Sequence, residues 1–279
     1  MSVGLSPTGV HTLFEAFAYA TGFRMFLWTR KQTAPQAFRT SDEVVIIAVG
    51  AIIGAALGAK LSYWLDDPLT AFANFPDWRH LLEGKSIIGA LLGGVLGVEL
   101  AKRAAHITES SGDAFVLPLT IGMCIGRIGC FLAGLPDHTY GTPTSLPWGI
   151  DFGDGIPRHP TQIYEIVFLL AQFTLIHARR AHFKRPGDRF RAFMIGYLTF
   201  RLLVEFIKPV FFSYPPGLSG LQWLCIAGLV YYARDIPCIL GALVGRGAAG
   251  WARKPGRTSS TTAPSRSAPN ALRGSKPRS

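Results

Sequence analysis

Seven long apolar stretches constrain the fold of this chain more than any other feature. They run over residues 10–28, 44–65, 86–101, 115–135, 161–176, 192–212 and 218–244. A helix of about 20 apolar residues crosses the roughly 30 Å hydrocarbon core of a bilayer. Only 16% of the residues are charged, whereas soluble domains carry about 25%. The sequence therefore predicts an all-α polytopic membrane bundle with about seven transmembrane helices.

Positive charge is concentrated in alternate loops. The loops after the first, third and fifth stretches hold Arg30, Lys31, Arg39, Lys102, Arg103, Arg179, Arg180, Lys184, Arg185, Arg189 and Arg191. The intervening loops hold Asp66, Asp67, Asp77, Glu83, Asp137, Asp151 and Asp154. Because loops rich in Lys and Arg stay in the cytoplasm, we expect the N-terminus outside and the C-terminus in the cytoplasm.

The end of the chain differs in composition from the rest. The net charge is +11, and residues 253–279 contribute seven basic residues without one acid. This segment is rich in Ser, Thr and Pro and has no apolar periodicity, which is typical of disorder. We predict a transmembrane domain over residues 1–250 and a disordered basic cytoplasmic tail over 251–279. No aromatic or groove-reading pattern accompanies the charge, so nucleic acid is not an expected partner.

Glycine and proline spacing predicts how some helices pack and end. Two stretches have a glycine at every fourth position: Gly50, Gly54 and Gly58, then Gly89, Gly93 and Gly97. Such faces let helix backbones approach closely in lipid, so we expect these two helices to pack tightly. Asp235 and Pro237 interrupt the last stretch and predict a bend or an end near Tyr232.

The cysteines do not predict a metal centre or a disulfide. Cys124, Cys130, Cys225 and Cys238 all lie in apolar stretches, without CxxC or Cys/His ligand spacing. They are interpreted as small buried hydrophobic residues. We expect neither a metal nor an organic cofactor.

Arg127 is the strongest functional candidate because it lies within an apolar span, where a charge is costly. Gly126 and Gly129 flank it and leave room for a ligand or for another backbone. A guanidinium stays protonated when buried, and its planar fork suits phosphate oxygens. The alternative is a structural ion pair with a neighbouring Glu.

Two further groups contain charged residues. In the sixth stretch, Tyr197, Arg201 and Glu205 recur every four residues and share one helix face. An Arg201–Glu205 pair and a ligand site are both open interpretations. Arg158 and His159 precede Pro160, which suits the first turn of a helix.

On the helix that follows Pro160, Gln162 and Glu165 are expected to share a face that points into the bundle, and Tyr164 lies between them. The loop over residues 137–157 is rich in Gly and Pro and indicates a lid or a substrate rim. Pairing or snorkelling is expected for Glu15, Lys85 and Glu99. Arg127, Arg158 and Arg201 together fit an anionic phospholipid headgroup in an apolar bundle.

Three motifs carry a resemblance to a known family. They are Gly-Arg-Ile-Gly-Cys-Phe over residues 126–131, Arg-His-Pro-Thr-Gln-Ile-Tyr-Glu over 158–165, and Gly196-Tyr197 with Phe200-Arg201 through Glu205-Phe206. In order and spacing they resemble the prolipoprotein diacylglyceryl transferase family, and the resemblance extends from the first span to about residue 245.

The resemblance implies a multi-pass enzyme of the bacterial inner (cytoplasmic) membrane. Such an enzyme moves the diacylglyceryl group of phosphatidylglycerol onto the lipobox cysteine thiol of a prolipoprotein and releases glycerol phosphate. The implied partners are phosphatidylglycerol or another anionic phospholipid, and the prolipoprotein signal peptide. The two central arginines of the family map onto Arg127 and Arg201. The implied substrate-binding set is Arg127, Gly129, Arg158, Gln162, Tyr164, Arg201 and Glu205.

The chain departs from the family pattern at several polar positions. Cys130, Ala133 and Leu135 stand where the family signature has Asn, Asn and Glu. Residues 85–89, Lys-Ser-Ile-Ile-Gly, lack the family histidine, and Glu15 replaces a tyrosine.

Because the family histidine is missing, the expected proton acceptor is His159 or Glu165, although Glu165 sits deeper and can instead neutralise Arg127. A variant of the transferase prediction is a divergent relative that transfers the group to another acceptor. The alternative function is a non-catalytic membrane protein that binds or carries anionic phospholipid.

Overall fold

A computed structural model of the protein describes residues 6–38, 40–73, 84–210 and 212–245. The described part is mostly helical. Its α-helices are α1 (Pro7–Thr33), α2 (Ser41–Asp66), α3 (Pro68–Phe72), α4 (Ile87–Ala104), α5 (Val116–Ala133), α6 (Thr161–Ala178), α7 (Asp188–Val204), α8 (Gly220–Tyr231) and α9 (Ile236–Val244). The predicted tail over 251–279 lies outside the described residues.

Short elements connect these helices. Single 3-10 turns occur at Pro35–Ala37, Gly112–Phe115, Leu135–Asp137, Arg180–His182 and Glu205–Ile207. Two antiparallel hairpins complete the chain: β1 (Ile150–Asp151) with β2 (Pro157–Arg158), and β3 (Ser213–Tyr214) with β4 (Leu218–Ser219). In the first hairpin Ile150 lies opposite Arg158.

The helices confirm an all-α membrane protein. Three are long and apolar enough to cross a bilayer: Ser41–Asp66, Gly112–Ala133 and Thr161–Ala178. A fourth candidate is the pair α8 and α9, which are bent by 83° at a short break. The predicted interruption near Tyr232 is therefore confirmed. Helices occupy most of the other apolar stretches, but the stretch over 192–212 is helical only as far as Ile207. The count of seven crossings and the sidedness of the termini remain predictions.

The glycine faces bring α2 and α4 into backbone contact, as predicted. A methyl group on Gly54 would overlap the backbone carbonyl of Gly93, and one on Gly58 would overlap that of Gly89. The outer face of α2 carries exposed apolar side chains such as Ile52 and Leu57. That is the arrangement expected of a helix whose other side faces lipid tails.

The main hydrophobic core surrounds α7. Phe193, Tyr197 and Leu198 of this helix are fully buried against Leu169 of α6 and Cys225 of α8. The rings of Phe193 and Tyr197 stack with centroids 6.1 Å apart. This packing fixes the faces of α6 and α7 that carry the charged groups described next.

Candidate active site

Four charged side chains meet in the interior, and we call them the four-charge cluster: Arg127 of α5, Glu165 of α6, Arg201 of α7 and Glu205 directly after α7. Glu165 Oε2 lies 2.9 Å from Arg127 Nε and 3.0 Å from Arg201 Nη1. Arg201 Nη2 lies 3.0 Å from Glu205 Oε2. The i,i+4 pair and the Arg127–Glu165 contact that the sequence suggested are both present.

The cluster is buried and electrically balanced. Side chains of Glu165, Arg201 and Glu205 are at most 6% exposed, and the Tyr197 hydroxyl donates to Glu165 Oε1 at 2.7 Å. A buried ion is tolerated only when opposite charge and hydrogen bonds compensate its lost hydration. Two guanidinium groups against two carboxylates satisfy this requirement. Glu165 accepts hydrogen bonds from Tyr197 and Arg201 and forms an ion pair with Arg127, so it links three helix positions.

The two arginines differ in how far they are satisfied. Each terminal nitrogen of Arg201 pairs with a carboxylate, Nη1 with Glu165 and Nη2 with Glu205. Arg127 is 11% exposed and pairs with Glu165 through Nε, and its Nη1 lies 3.9 Å from Cys130 Sγ. The arginine that lies less deep is therefore better placed to meet a ligand.

The glycines beside Arg127 have different surroundings. A Cβ built on Gly126 meets no heavy atom of the described residues within 4 Å, so this side is open. A Cβ on Gly129 would overlap Phe14. Gly129 thus serves the close packing of α5 against α1, whereas the Cβ position of Gly126 faces open space.

The start of α6 is anchored to the preceding loop. Thr161 Oγ1 donates to the Thr139 carbonyl at 2.6 Å, and Gln162 Nε2 donates to Thr139 Oγ1 at 3.1 Å. Gln162 and Glu165 are both buried, as the shared helix face predicts. Gln162 Oε1 is also buried, and no partner for it occurs within the described ranges. It is a vacant acceptor near the cluster.

Arg158 lies on the hairpin, outside the four-charge cluster. It forms a bidentate pair with Asp154, with both N–O distances 2.7 Å, and its guanidinium lies 5.0 Å from the Tyr140 ring centroid. The hydrogen bonds from Arg158 lower the pKa of the Asp154 carboxyl. Asp151 Oδ1 accepts the backbone N–H groups of residues 153–155, which orders the loop tip.

His159 belongs to a separate polar contact. Its Nδ1 lies 3.2 Å from the Tyr164 hydroxyl, which accepts from Trp148 Nε1 at 2.8 Å. Among the residues that the structure describes, no side-chain hydrogen bond joins His159 to Arg127 or Glu165. Tyr164 therefore orients His159 and the loop above α6.

A second polar group beside the cluster was not predicted from the sequence. His11 Nδ1 of α1 lies 2.6 Å from Asp137 Oδ1, and Cys130 Sγ is within 4.8 Å of both groups. Lys85 Nζ lies 2.6 Å from Glu15 on α1, which confirms the pairing expected for these two. His11, one turn before Glu15, was the available signal, but nothing local links it to Asp137.

Together these features define an all-α membrane protein in which three helices enclose an electroneutral ionised cluster beside a polar rim. Comparison with known sequences then gives the family. A sequence model for prolipoprotein diacylglyceryl transferase matches residues 7–233. The chain belongs to the prolipoprotein diacylglyceryl transferase family, as its motifs indicated.

Curated relatives match between 60% and 82% of the chain. A phosphatidylglycerol–prolipoprotein diacylglyceryl transferase of Paracidovorax citrulli is 31% identical over 82% of this chain and 91% of its own length. The protein of the same name from Nitrosospira multiformis is 32% identical over 81% of each chain. That from Geobacter sulfurreducens is 37% identical over 60% of this chain and 64% of its own.

Proposed function

We propose that this protein transfers the diacylglyceryl group of phosphatidylglycerol to the lipobox cysteine of a prolipoprotein. Family membership over residues 7–233 supports this reaction class. The observation that carries the assignment to a site is Arg127, which is 11% exposed, is paired with Glu165 through Nε, and has terminal nitrogens that contact no carboxylate among the described residues. A phospholipid phosphate fits such a guanidinium through charge-assisted hydrogen bonds.

The reaction needs a thiolate, an aligned carbon and stabilisation of the leaving group. The cysteine thiol loses its proton, and its sulfur forms a bond to the glycerol carbon of the diacylglyceryl group. The bond between that carbon and the phosphate oxygen breaks, and glycerol phosphate leaves with the electron pair. Since the phosphate gains a negative charge in this step, a fixed cation beside it lowers the barrier.

The two arginines have different roles in this proposal. Arg127 contacts the phosphate, because its terminal nitrogens are not taken by carboxylates. Arg201 positions Glu165, which in turn holds Arg127 at 2.9 Å. The deeper half of the cluster therefore keeps the phosphate-binding guanidinium in one orientation.

The polar rim receives the headgroup. Gln162 Oε1, a buried acceptor without a described partner, suits a hydroxyl of the glycerol headgroup. Arg158 on the hairpin and Tyr164 on α6 supply further polar groups for the headgroup in this proposal. The family resemblance includes Gly129 in this set. In this protein, Gly129 contributes by letting α1 approach α5 closely.

We propose seven crossings of the bacterial inner membrane, with the N-terminus outside and the basic tail over 251–279 in the cytoplasm. The alternation of charge between loops supports this arrangement. It places the loop over residues 137–157 on the outer face, where the signal peptide of a secreted prolipoprotein presents its cysteine.

The test is turnover by purified protein in phosphatidylglycerol vesicles with a lipobox peptide, followed by mass spectrometry. We expect Arg127→Gln to lower turnover and to weaken phosphatidylglycerol binding at least tenfold, since a charge-assisted contact is worth about 1.5–3 kcal/mol. The control is Arg180→Gln, an exposed arginine after α6, which leaves both unchanged. Lipid binding without turnover in the parent protein would support the lipid-binding alternative.

A further inference from the structure

We propose that His11, held by Asp137, takes the proton from the acceptor thiol. The proposal rests on the proposed transferase function and adds its base. His11 Nδ1 lies 2.6 Å from Asp137 Oδ1. The contact is an ion-pair distance rather than a well-aligned hydrogen bond, because Nδ1 makes no hydrogen bond among the described residues. A rotation of the imidazole would let Nδ1–H donate to Asp137, and a histidine oriented in this way offers the other nitrogen, here Nε2, as the proton acceptor.

Asp137 is itself fixed by a chain of hydrogen bonds. Thr139 Oγ1 donates to Asp137 Oδ2 at 2.5 Å and accepts from Gln162 Nε2 at 3.1 Å. The Asp137 side chain is 8% exposed and that of His11 is 35% exposed. The carboxylate is thus enclosed and the imidazole is accessible, which is the arrangement that a base and its orienting group require.

The pair lies next to the phosphate-binding arginine. Cys130 Sγ is within 4.8 Å of both His11 and Asp137 and 3.9 Å from Arg127 Nη1. Cys130 is therefore a shared neighbour of the imidazole and the guanidinium. A thiol that reaches His11 would meet the diacylglyceryl carbon of a lipid whose phosphate is on Arg127.

The charged surroundings of His11 come from three elements. Glu15 Oε2 on α1 lies 4.0 Å from His11 Nε2 and is paired with Lys85, which precedes α4. Asp137 follows α5, and Cys130 lies on α5. One carboxylate therefore faces Nδ1 and a second lies near Nε2.

The other candidates are less well placed in this geometry. Glu165 already accepts hydrogen bonds from Arg201 and Tyr197 and pairs with Arg127, so its oxygens are engaged. His159 Nδ1 contacts Tyr164, with no described side-chain link to the cluster.

A metal ion between His11 and Asp137 fits poorly. Two ligands on one tetrahedral zinc lie about 3.3 Å apart, whereas these two atoms are 2.6 Å apart.

The experiment compares His11→Gln and Asp137→Asn with the parent in the vesicle assay, with correct folding checked by thermal unfolding. General-base catalysis is worth roughly 100- to 10,000-fold, so we expect that loss of kcat for His11→Gln, with KM for phosphatidylglycerol unchanged. The control is His138→Gln, an exposed histidine of the same loop, which keeps full activity. We expect Asp137→Asn to lower kcat at least tenfold.

A pH series separates a base from a structural role. A thiol of ordinary pKa of about 8.5 increases its thiolate fraction about 25-fold from pH 7 to pH 9. The His11→Gln variant, which depends on that fraction, should gain activity accordingly, and the parent should gain much less. A structural defect would persist at pH 9 and would overturn the proposal.

Three further outcomes are decisive. Full activity of folded His11→Gln refutes the base, as does a loss confined to His159→Gln. Stoichiometric zinc in the active parent, with activity lost on chelation, also refutes it. An inactive parent that still folds and binds lipid refutes the proposed function itself, so the two failures are distinguishable.

Discussion

We expect Glu165→Gln to destabilise the protein strongly, because it removes the carboxylate that two buried guanidinium groups share. In the parent, Glu165 Oε2 is 2.9 Å from Arg127 and 3.0 Å from Arg201, and Tyr197 donates to Oε1 at 2.7 Å. The amide keeps the shape but leaves two positive charges against Glu205 alone. Breaking a buried pair in this way costs about 3–5 kcal/mol.

The measurement is thermal unfolding of the purified protein in lipid nanodiscs. For chains of this size, 1 kcal/mol corresponds to roughly 2–4 °C in Tm, so the expected decrease is about 6–20 °C. The matched control is Glu99→Gln. Glu99 is 44% exposed and lies 3.1 Å from Lys102, which is 8% exposed. Because one partner of this pair is open to solvent, its removal should cost less than removal of the enclosed Glu165.

A double variant tests the charge argument itself. Glu165→Gln combined with Arg127→Gln restores one positive charge against one negative charge, so it should recover at least half of the lost Tm. The coupling between the two sites measures their interaction directly. A Glu165→Gln variant as stable as Glu99→Gln, or a double variant less stable than either single change, would contradict electroneutrality as the reason for this cluster.

Three further predictions concern packing, loop charge and topology. Gly54→Ala should separate α2 from α4 and lower Tm by several degrees. Gly94→Ala should be tolerated in the same assay, since a Cβ at Gly94 makes only 3.7 Å contacts. Arg158 lowers the pKa of Asp154, so the pair's contribution is present above about pH 3.9 and lost as pH falls through the lower folded value. Protection factors of the hairpin amides, which correct for the intrinsic pH dependence of exchange, should thus fall only below about pH 4, and a fall near pH 6 would contradict this. Single cysteines at Arg185 and Asp154 should label from opposite sides, and same-side labelling would refute the span count.

Features set by local spacing could be predicted from the sequence. The Arg201–Glu205 pair follows from i,i+4 geometry, the α2–α4 contact from glycine spacing, and the break between α8 and α9 from Asp235 and Pro237. In each case the interacting groups lie on one helix or share a periodic face. The thickness of the bilayer core sets how long each apolar helix must be, which is why the apolar stretches largely coincide with helices.

Contacts between distant segments could not be predicted in the same way. His11 and Asp137 lie far apart in sequence, and they meet only because α1 packs along α5 through Gly129 and Phe14. The different roles of the two arginines also could not be predicted without the structure, because Arg127 and Arg201 both appear in the sequence as single arginines within apolar stretches. Their difference arises from which nitrogens Glu165 and its neighbours already occupy.

The order of charges along the chain has a consequence for biogenesis. A charged residue at the centre of an inserting helix costs about 2.5–3.5 kcal/mol at the translocon. A helix whose charge has no partner of opposite sign therefore inserts into the membrane less favourably. In the proposed seven-span topology, Arg127 would enter first with α5, Glu165 would follow on α6, and α7 would bring Arg201 followed directly by Glu205. Once α6 is paired with α5 the nascent cluster is neutral, and the next two charges cancel within one turn. The growing bundle is therefore never more than one charge from neutrality at this depth, so each helix can partition into lipid before the following one is synthesised.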